Sequence, residues 1–330
     1  MTKSRFRIDL ALALVALLGA ALSLGLGPAH LAGGRVLAAL TGQGDPIATT
    51  IVWQLRLPRS ALALLVGAML GGAGAALQGY LRNPLADPGV LGVSSSAALG
   101  GVLALYYGFA AISPLTLPLF AIAGAFAGLI PLLLLAARSE GPLALVLAGV
   151  AIGTAASAGI SLALNFAPNP FAAVEIMTWL MGSFADRSLL HVWLLLPCVA
   201  IGLGLILVQA RALDALTLGE EGATALGVDL TRTRLMLMAA TAIGVGGAVA
   251  VSGTIGFVGL VVPHLVRRFT DGRPSSLLLP SMLGGAALLA VADTLVRIVP
   301  TLEEPRLGVV TSLIGVPIFL HQLVRARRIW

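Results

Sequence analysis

The side chains able to do chemistry are few and scattered. In 330 residues there are four histidines, one cysteine, 14 acidic and 20 basic side chains. His30, His191, His264 and His321 never fall at the spacing of a His-Glu-x-x-His zinc site, so no metal ligand set is expected. No Gly-x-Ser-x-Gly elbow presents a serine nucleophile. Lys3 is the only lysine, and a phosphate-binding loop needs a lysine inside a glycine-rich turn, so the chain cannot hydrolyse ATP alone by that route. No catalytic residue and no resident cofactor is expected. Cys198 lies inside an apolar run and reads as a small hydrophobe.

The charges that remain sit in short punctuated stretches. Segment 217–234 carries two Glu, one Asp and two Arg between long apolar runs. Glu220 and Glu221 suit the first turn of a short helix, where the dipole favours negative charge, and Gly227 suits its stop; Asp229 can start the helix that follows. In 78–92, Pro84 and Pro88 break a helix while Gly89 and Gly92 permit turns, giving non-helical backbone at a membrane edge. A pore constriction and an ordinary tight loop are equal readings of it. Arg56-Leu-Pro-Arg59 is stiffened by Pro58, and both guanidinium groups are expected to face external water, as lipid-headgroup anchors or as a cationic patch steering an acidic partner. Asp293 and Arg297 stand four apart and meet on a helix.

The elements that position these residues follow from composition. With 58% hydrophobic and 10% charged residues and a mean hydropathy of +1.01, the chain is far from a soluble domain, which is about a quarter charged. Its runs are apolar on every side, which fits membrane helices and not the alternation of a β-barrel. Runs near the required 20 residues fall at 8–26, 60–80, 90–108, 114–136, 143–166, 190–209, 233–251, 254–268, 277–297 and 308–324. The first is longer than the apolar region of a cleaved signal peptide, the rival reading of 1–27. The eighth, broken by glycines and Pro263, is the one open to a re-entrant reading.

Charge parity favours ten. With the N-terminus inside, Lys3, Arg5, Arg7, Arg82, Arg138, Arg211, Arg232, Arg234, Arg267, Arg268, Arg273, Arg325, Arg327 and Arg328 fall inside. Arg35, Arg56, Arg59, Arg187, Arg297 and Arg306 fall outside, a ratio of 14 to 6. Dropping the eighth span would put Arg325, Arg327 and Arg328 on the wrong side. Both termini and segment 217–234 are therefore expected in the cytoplasm. The net charge of +6 reflects this topology and not nucleic-acid binding. Glycines such as Gly67, Gly71, Gly74 and Gly79 provide faces for close helix packing. Mid-membrane charge is scarce, which argues against a self-powered ion-coupled carrier, the competing class, and the broken helices argue against an inert scaffold.

The chain resembles the FecCD-type permeases of ABC importers for iron-siderophores, haem and vitamin B12. The marks span its length: Leu55–Arg59, Gln78–Pro88, Trp179–Ser183, Leu218–Gly227, Gly253–His264, Ala292–Arg297 and Gly308–Gly315. The resemblance implies an all-α polytopic membrane protein of the type II ABC importer class, one permease domain over 1–330, working as a homodimer in the bacterial inner membrane. It implies two cytoplasmic ATPase subunits, which bind the ATP, and a periplasmic binding protein as partners. It makes segment 217–234 a coupling helix touching the ATPase through Gly219, Glu220, Glu221, Ala223, Leu226 and Gly227. Arg56, Arg59 and Arg297 match positions that grip carboxylates of the binding protein. Asn83 and Leu85 match a cytoplasmic gate, and the pore is expected along the dimer axis, lined largely by 143–166. One departure stands out: the family often reads Glu-Leu-Pro-Val-Gly before the last span, where this chain has Glu304-Pro-Arg-Leu-Gly308. With 169–173 and 182–187, this departure makes haem the first expectation for the cargo, ahead of ferric siderophores and cobalamin.

Overall fold

The protein is described by a computed structural model covering residues 3–27, 29–138, 142–299 and 304–326; Arg327 and Arg328 lie outside the described residues. Among those residues there are helices and connections and no strand. The α-helices are α1 (Lys3–Gly25), α2 (Gly33–Leu40), α3 (Pro46–Thr50), α4 (Leu57–Tyr80), α5 (Val93–Tyr106), α6 (Thr116–Arg138), α7 (Pro142–Asn165) and α8 (Pro170–Leu180). They continue with α9 (Leu189–Val208), α10 (Ala210–Ala215), α11 (Glu220–Ala225), α12 (Leu230–Ser252), α13 (Val258–Arg267), α14 (Pro274–Ile298) and α15 (Leu307–Ala326).

Among the described residues, seven helical stretches are long and apolar enough to cross a bilayer. The other three expected spans correspond to α5, α13 and α15, whose described apolar lengths are shorter. With 10 residues, α13 rises about 15 Å, half of a hydrocarbon core of about 30 Å. The expected eighth span at 254–268 is thus a half-length helix preceded by non-helical backbone at 253–257, where Gly253 and Phe257 take positive φ. Irregular backbone at that depth survives where protein or a cavity covers it. Both conditions are met here, as the next subsection describes.

The centre is the antiparallel pair α4 and α14. Gly67 lies against Gly285 and Gly71 against Ser281, backbone to backbone, so a Cβ at either glycine would strike a carbonyl oxygen. Between helices in lipid, where apolar side chains gain little by leaving the tails, such close approach is the main source of association. Around the pair pack α1, α9, α12 and α13, and α5, α6 and α7 form a second group joined to it through α12. Pro58 shapes the start of α4. It lacks the N–H that would bond the carbonyl four residues back, and the ladder widens to a π-helix over Ile51–Arg56, so Pro46–Tyr80 runs as one 35-residue stretch.

The short helices α2, α3, α8 and α10 were not expected from the sequence, nor was the form of the 78–92 loop. Helix α8 follows Asn169, whose side chain accepts the Ala172 N–H at 2.9 Å, with Pro170 at the first helical position; it buries Ile176 and Trp179. Pro88 does not simply break a helix. It opens a 3-10 turn, Pro88–Leu91, capped by Asp87.

Candidate functional site

Three places in this frame gather the residues singled out above. The first is an open-sided cavity of about 700 Å³. Val66 and Leu70 of α4 and Ala248, Val249 and Ser252 of α12 meet four punctuated stretches in its walls: Asp87 and Gly89 of the 78–92 loop, Leu180 and Met181 at the end of α8, 253–256 before α13, and Gly308 to Pro317 on α15. These segments also bond to one another. The Ser183 N–H donates to the Ser252 carbonyl at 2.8 Å, and the Thr254 hydroxyl donates to the Leu180 carbonyl. The non-helical 253–256 backbone is therefore a wall of the cavity. The lining is mainly apolar, with Ser94, Ser252, Thr254 and Ser312 as its hydroxyl groups.

Within one chain α7 does not line this cavity; the expectation for 143–166 concerns a pore on the axis between two copies. It presents an exposed face with Thr154, Ser157 and Ser161 in one stripe, each hydroxyl donating to the carbonyl four residues back and keeping its lone pairs outward. On α15, Leu313 and Leu320 are also exposed.

The second place is the end of the bundle holding the start of α4 and the end of α14. Here the expectation of water-facing arginines is corrected. Arg56 is 4% and Arg59 9% exposed. Arg56 donates through Nη1 to the carbonyls of Leu24 and Gly25 at 2.7 and 2.9 Å, and through Nη2 to Ala29. Arg297 donates through Nη1 to the Ser23 carbonyl at 2.8 Å. Both cap the C-terminal carbonyls of α1, which carry the negative end of its dipole and have no partner in the helix. Between them Asp293, at 1% side-chain exposure, accepts from Arg59 Nε at 2.8 Å and lies 3.2 Å from Arg297 Nη2. Arg59 Nη1 also reaches Glu304 Oε2 at 2.7 Å. Ser60 donates to the Ser23 hydroxyl at 2.9 Å, which closes the network towards Asp293. The guanidinium groups turned inward because the α1 carbonyls and a buried carboxylate offered what water would otherwise supply. They border a cavity of about 450 Å³ shared with Asp186, Arg187, Glu304 and Arg306. Burial lowers the Arg187 pKa against the opposing pull of Asp186.

The third place is the opposite end, about 36 Å away along the 24 residues of α4. Helix α11 is bracketed as the sequence implied. Gly219, at φ 94° and ψ 169°, takes a conformation that only glycine enters at low cost. At the far end the Val228 N–H bonds the Ala223 carbonyl and the Gly227 N–H bonds that of Thr224, a Schellman stop with Gly227 at φ 84°. Ala223 is buried, while Leu218 and Leu226 are 69% and 64% exposed beside Glu221. The knob is fixed to the bundle by a residue not singled out from the sequence. Asp214 in α10 accepts from the Ser275 N–H and hydroxyl at 2.8 and 2.6 Å, tying the approach to α11 to the first turn of α14. Its only sequence signal is an acid a few residues before the segment, facing a Pro-Ser-Ser helix start.

Asn83 and Leu85 lie at this same end. The Asn83 side chain accepts the Leu85 N–H at 2.9 Å, and Leu85 is exposed. Gln78, in α4, donates to the carbonyls of Ala86 and Leu260 and accepts from Arg267 at 3.0 Å, so the 78–92 loop is tied to α13. Burial raises the pKa of Asp87, against the Gly89 N–H that its carboxylate accepts at 2.8 Å. No group of three or more metal-ligating side chains occurs among the described residues.

The comparisons with known proteins agree with one another. The family model for the FecCD transport family matches residues 14–325. The ABC transporter permease protein YvrB of Bacillus subtilis is 42% identical over 293 residues, 87% of this chain and 82% of that protein. The vitamin B12 import system permease protein BtuC of Escherichia coli is 41% identical over 286 residues, 86% of each. A solved inward-facing structure of a metal-chelate type ABC transporter superposes with a TM-score of 0.87 at 33% identity, covering 97% of this chain and 99% of that one. The chain belongs to the FecCD transport family.

Proposed function

We propose that the chain is the permease subunit of an ATP-driven importer of bulky metal chelates, working as a homodimer in the inner membrane. The observation that carries this reading is the convergence of four motifs, spread from residue 87 to residue 317, on one mainly apolar cavity. Such a lining suits a large cargo held by shape, with a few hydroxyl groups for orientation. The arginine end faces the binding protein outside, and α11 faces a partner ATPase in the cytoplasm, in line with the inward bias of basic residues. The hydroxyl face of α7 completes the pathway against a second copy. The mechanism is alternating access: closure of the ATPase pair moves α11, and the tie from Asp214 to α14 carries that motion into the bundle.

For the cargo, the relatives shift the order reached from sequence. Permeases named for vitamin B12 are 39–41% identical in the regions matched, and among the described residues no histidine lines the 700 Å³ cavity. A corrinoid comes first, with haem and ferric siderophores as alternatives. Reconstitution with the ATPase and binding protein of the same transporter tests this reading. Liposomes should accumulate cyanocobalamin only with ATP, and vesicles holding the permease alone should not accumulate it along a proton or sodium gradient. Gradient-driven uptake by the permease alone would refute the reading. Uptake of haemin but not of cyanocobalamin would reverse the order of cargoes.

A further inference from the structure

The arginine end has three bound cations, but their partners are not equal. Arg56 is held by backbone carbonyls and Arg297 by a carbonyl and Asp293, both inside the helix bundle. Arg59 alone divides its guanidinium between two carboxylates of different character. Towards Asp293 it makes a directed hydrogen bond to a group that is 1% exposed. Towards Glu304 it comes within 2.7 Å of a buried Oε2, on a side chain that is otherwise 30% exposed at the lip of the 450 Å³ cavity. The Asp293 contact is closed inside the bundle, whereas the Glu304 side chain can be reached from the cavity, so a carboxylate of the same chemistry can take its place.

We propose that Glu304 is a tethered stand-in for a carboxylate of the docking partner. An acidic side chain entering the cavity replaces Glu304 on Arg59, and the buried Asp293 keeps the guanidinium in place during the exchange. The cavity fits an acidic partner in other respects. Arg187 and Arg306 line it without a carboxylate bound to either, and Arg306 is two residues from Glu304. Release of Glu304 then pulls on α15. Leu307 begins that helix, and Gly308 lies against the Met181 and Thr254 carbonyls, with Val309 and Ser312 in the wall of the 700 Å³ cavity. Docking is thereby coupled to opening of the cavity by three residues of chain.

This inference rests on the proposed docking role of the arginine end, and the two separate in one experiment. The permease with its ATPase is placed in nanodiscs, and the affinity and association rate of the transporter's own binding protein are measured at two salt concentrations. Arg59→Ala should weaken binding, which tests the docking role. Glu304→Gln should tighten it roughly fivefold, the factor released by removing one partly exposed competing ion pair, with the gain shrinking at high salt. Weakened or unchanged binding in Glu304→Gln, with Arg59→Ala still impaired, overturns the exchange and leaves the docking role standing. Unchanged binding in Arg59→Ala overturns both.

Discussion

At one end of the bundle the arginines expected to meet a partner are bonded inside the chain; at the other, two leucines and a glutamate stand out from a short helix with nothing on them. Arg56, Arg59 and Arg297 spend their donors on α1 carbonyls and on Asp293. Leu218, Leu226 and Glu221 project from a knob whose shape is set by two glycines and the tie at Asp214. The contrast shows two ways of preparing a contact. The knob is rigid and ready, so it suits a permanent partner. The arginine end is paired largely within the chain, through the α1 carbonyls, Asp293 and Glu304, so a partner engages it by exchange.

Three variants break or sharpen that comparison. Asp293→Ala should have the largest effect on the permease itself. It leaves Arg59 and Arg297 buried without their shared carboxylate, a loss of about 3–5 kcal/mol, read as earlier thermal unfolding in detergent. If the protein unfolds no earlier than wild type, the arginine end is not the internal network described. Leu226→Asp should leave thermal stability unchanged, since the side chain is exposed, but should uncouple the ATPase. Losing one leucine from an interface removes about 1.5–3 kcal/mol, so ATPase binding should fall tenfold or more with uptake falling alongside. Glu304→Gln is the smallest of the three and acts on docking alone.

Much of this was legible in the sequence where local rules decide. The glycines and acids of 219–227 specified a short capped helix, and Pro84 with Gly92 specified the break before α5, because turn chemistry depends on a few neighbouring residues. The long apolar runs marked ten spans, each of which has its helix, seven of them long and apolar enough by themselves to cross a bilayer among the described residues. Legibility failed where the answer lay far along the chain. That Arg56 caps α1 depends on carbonyls about 30 residues away, and that Arg59 meets Asp293 depends on a partner 234 residues away. Polarity alone placed these arginines in water. The half-length α13 was legible in part: its glycines and Pro263 opened a re-entrant reading, but an apolar run does not say where its helix begins or that 253–256 forms the wall of a cavity. Helix α8 was missed despite its Asn169-Pro170 start, because its 11 residues are too few to read as a span.

The central claim is that one cavity is the pathway and that a separate ATPase decides which side it opens to. Ser312→Cys places a single thiol in its wall in a Cys198→Ser background. In the full complex, a membrane-impermeant maleimide added from one side and then the other should reach this thiol from opposite sides in the nucleotide-free and nucleotide-trapped states. Labelling that is the same from each side in every nucleotide state would contradict the account.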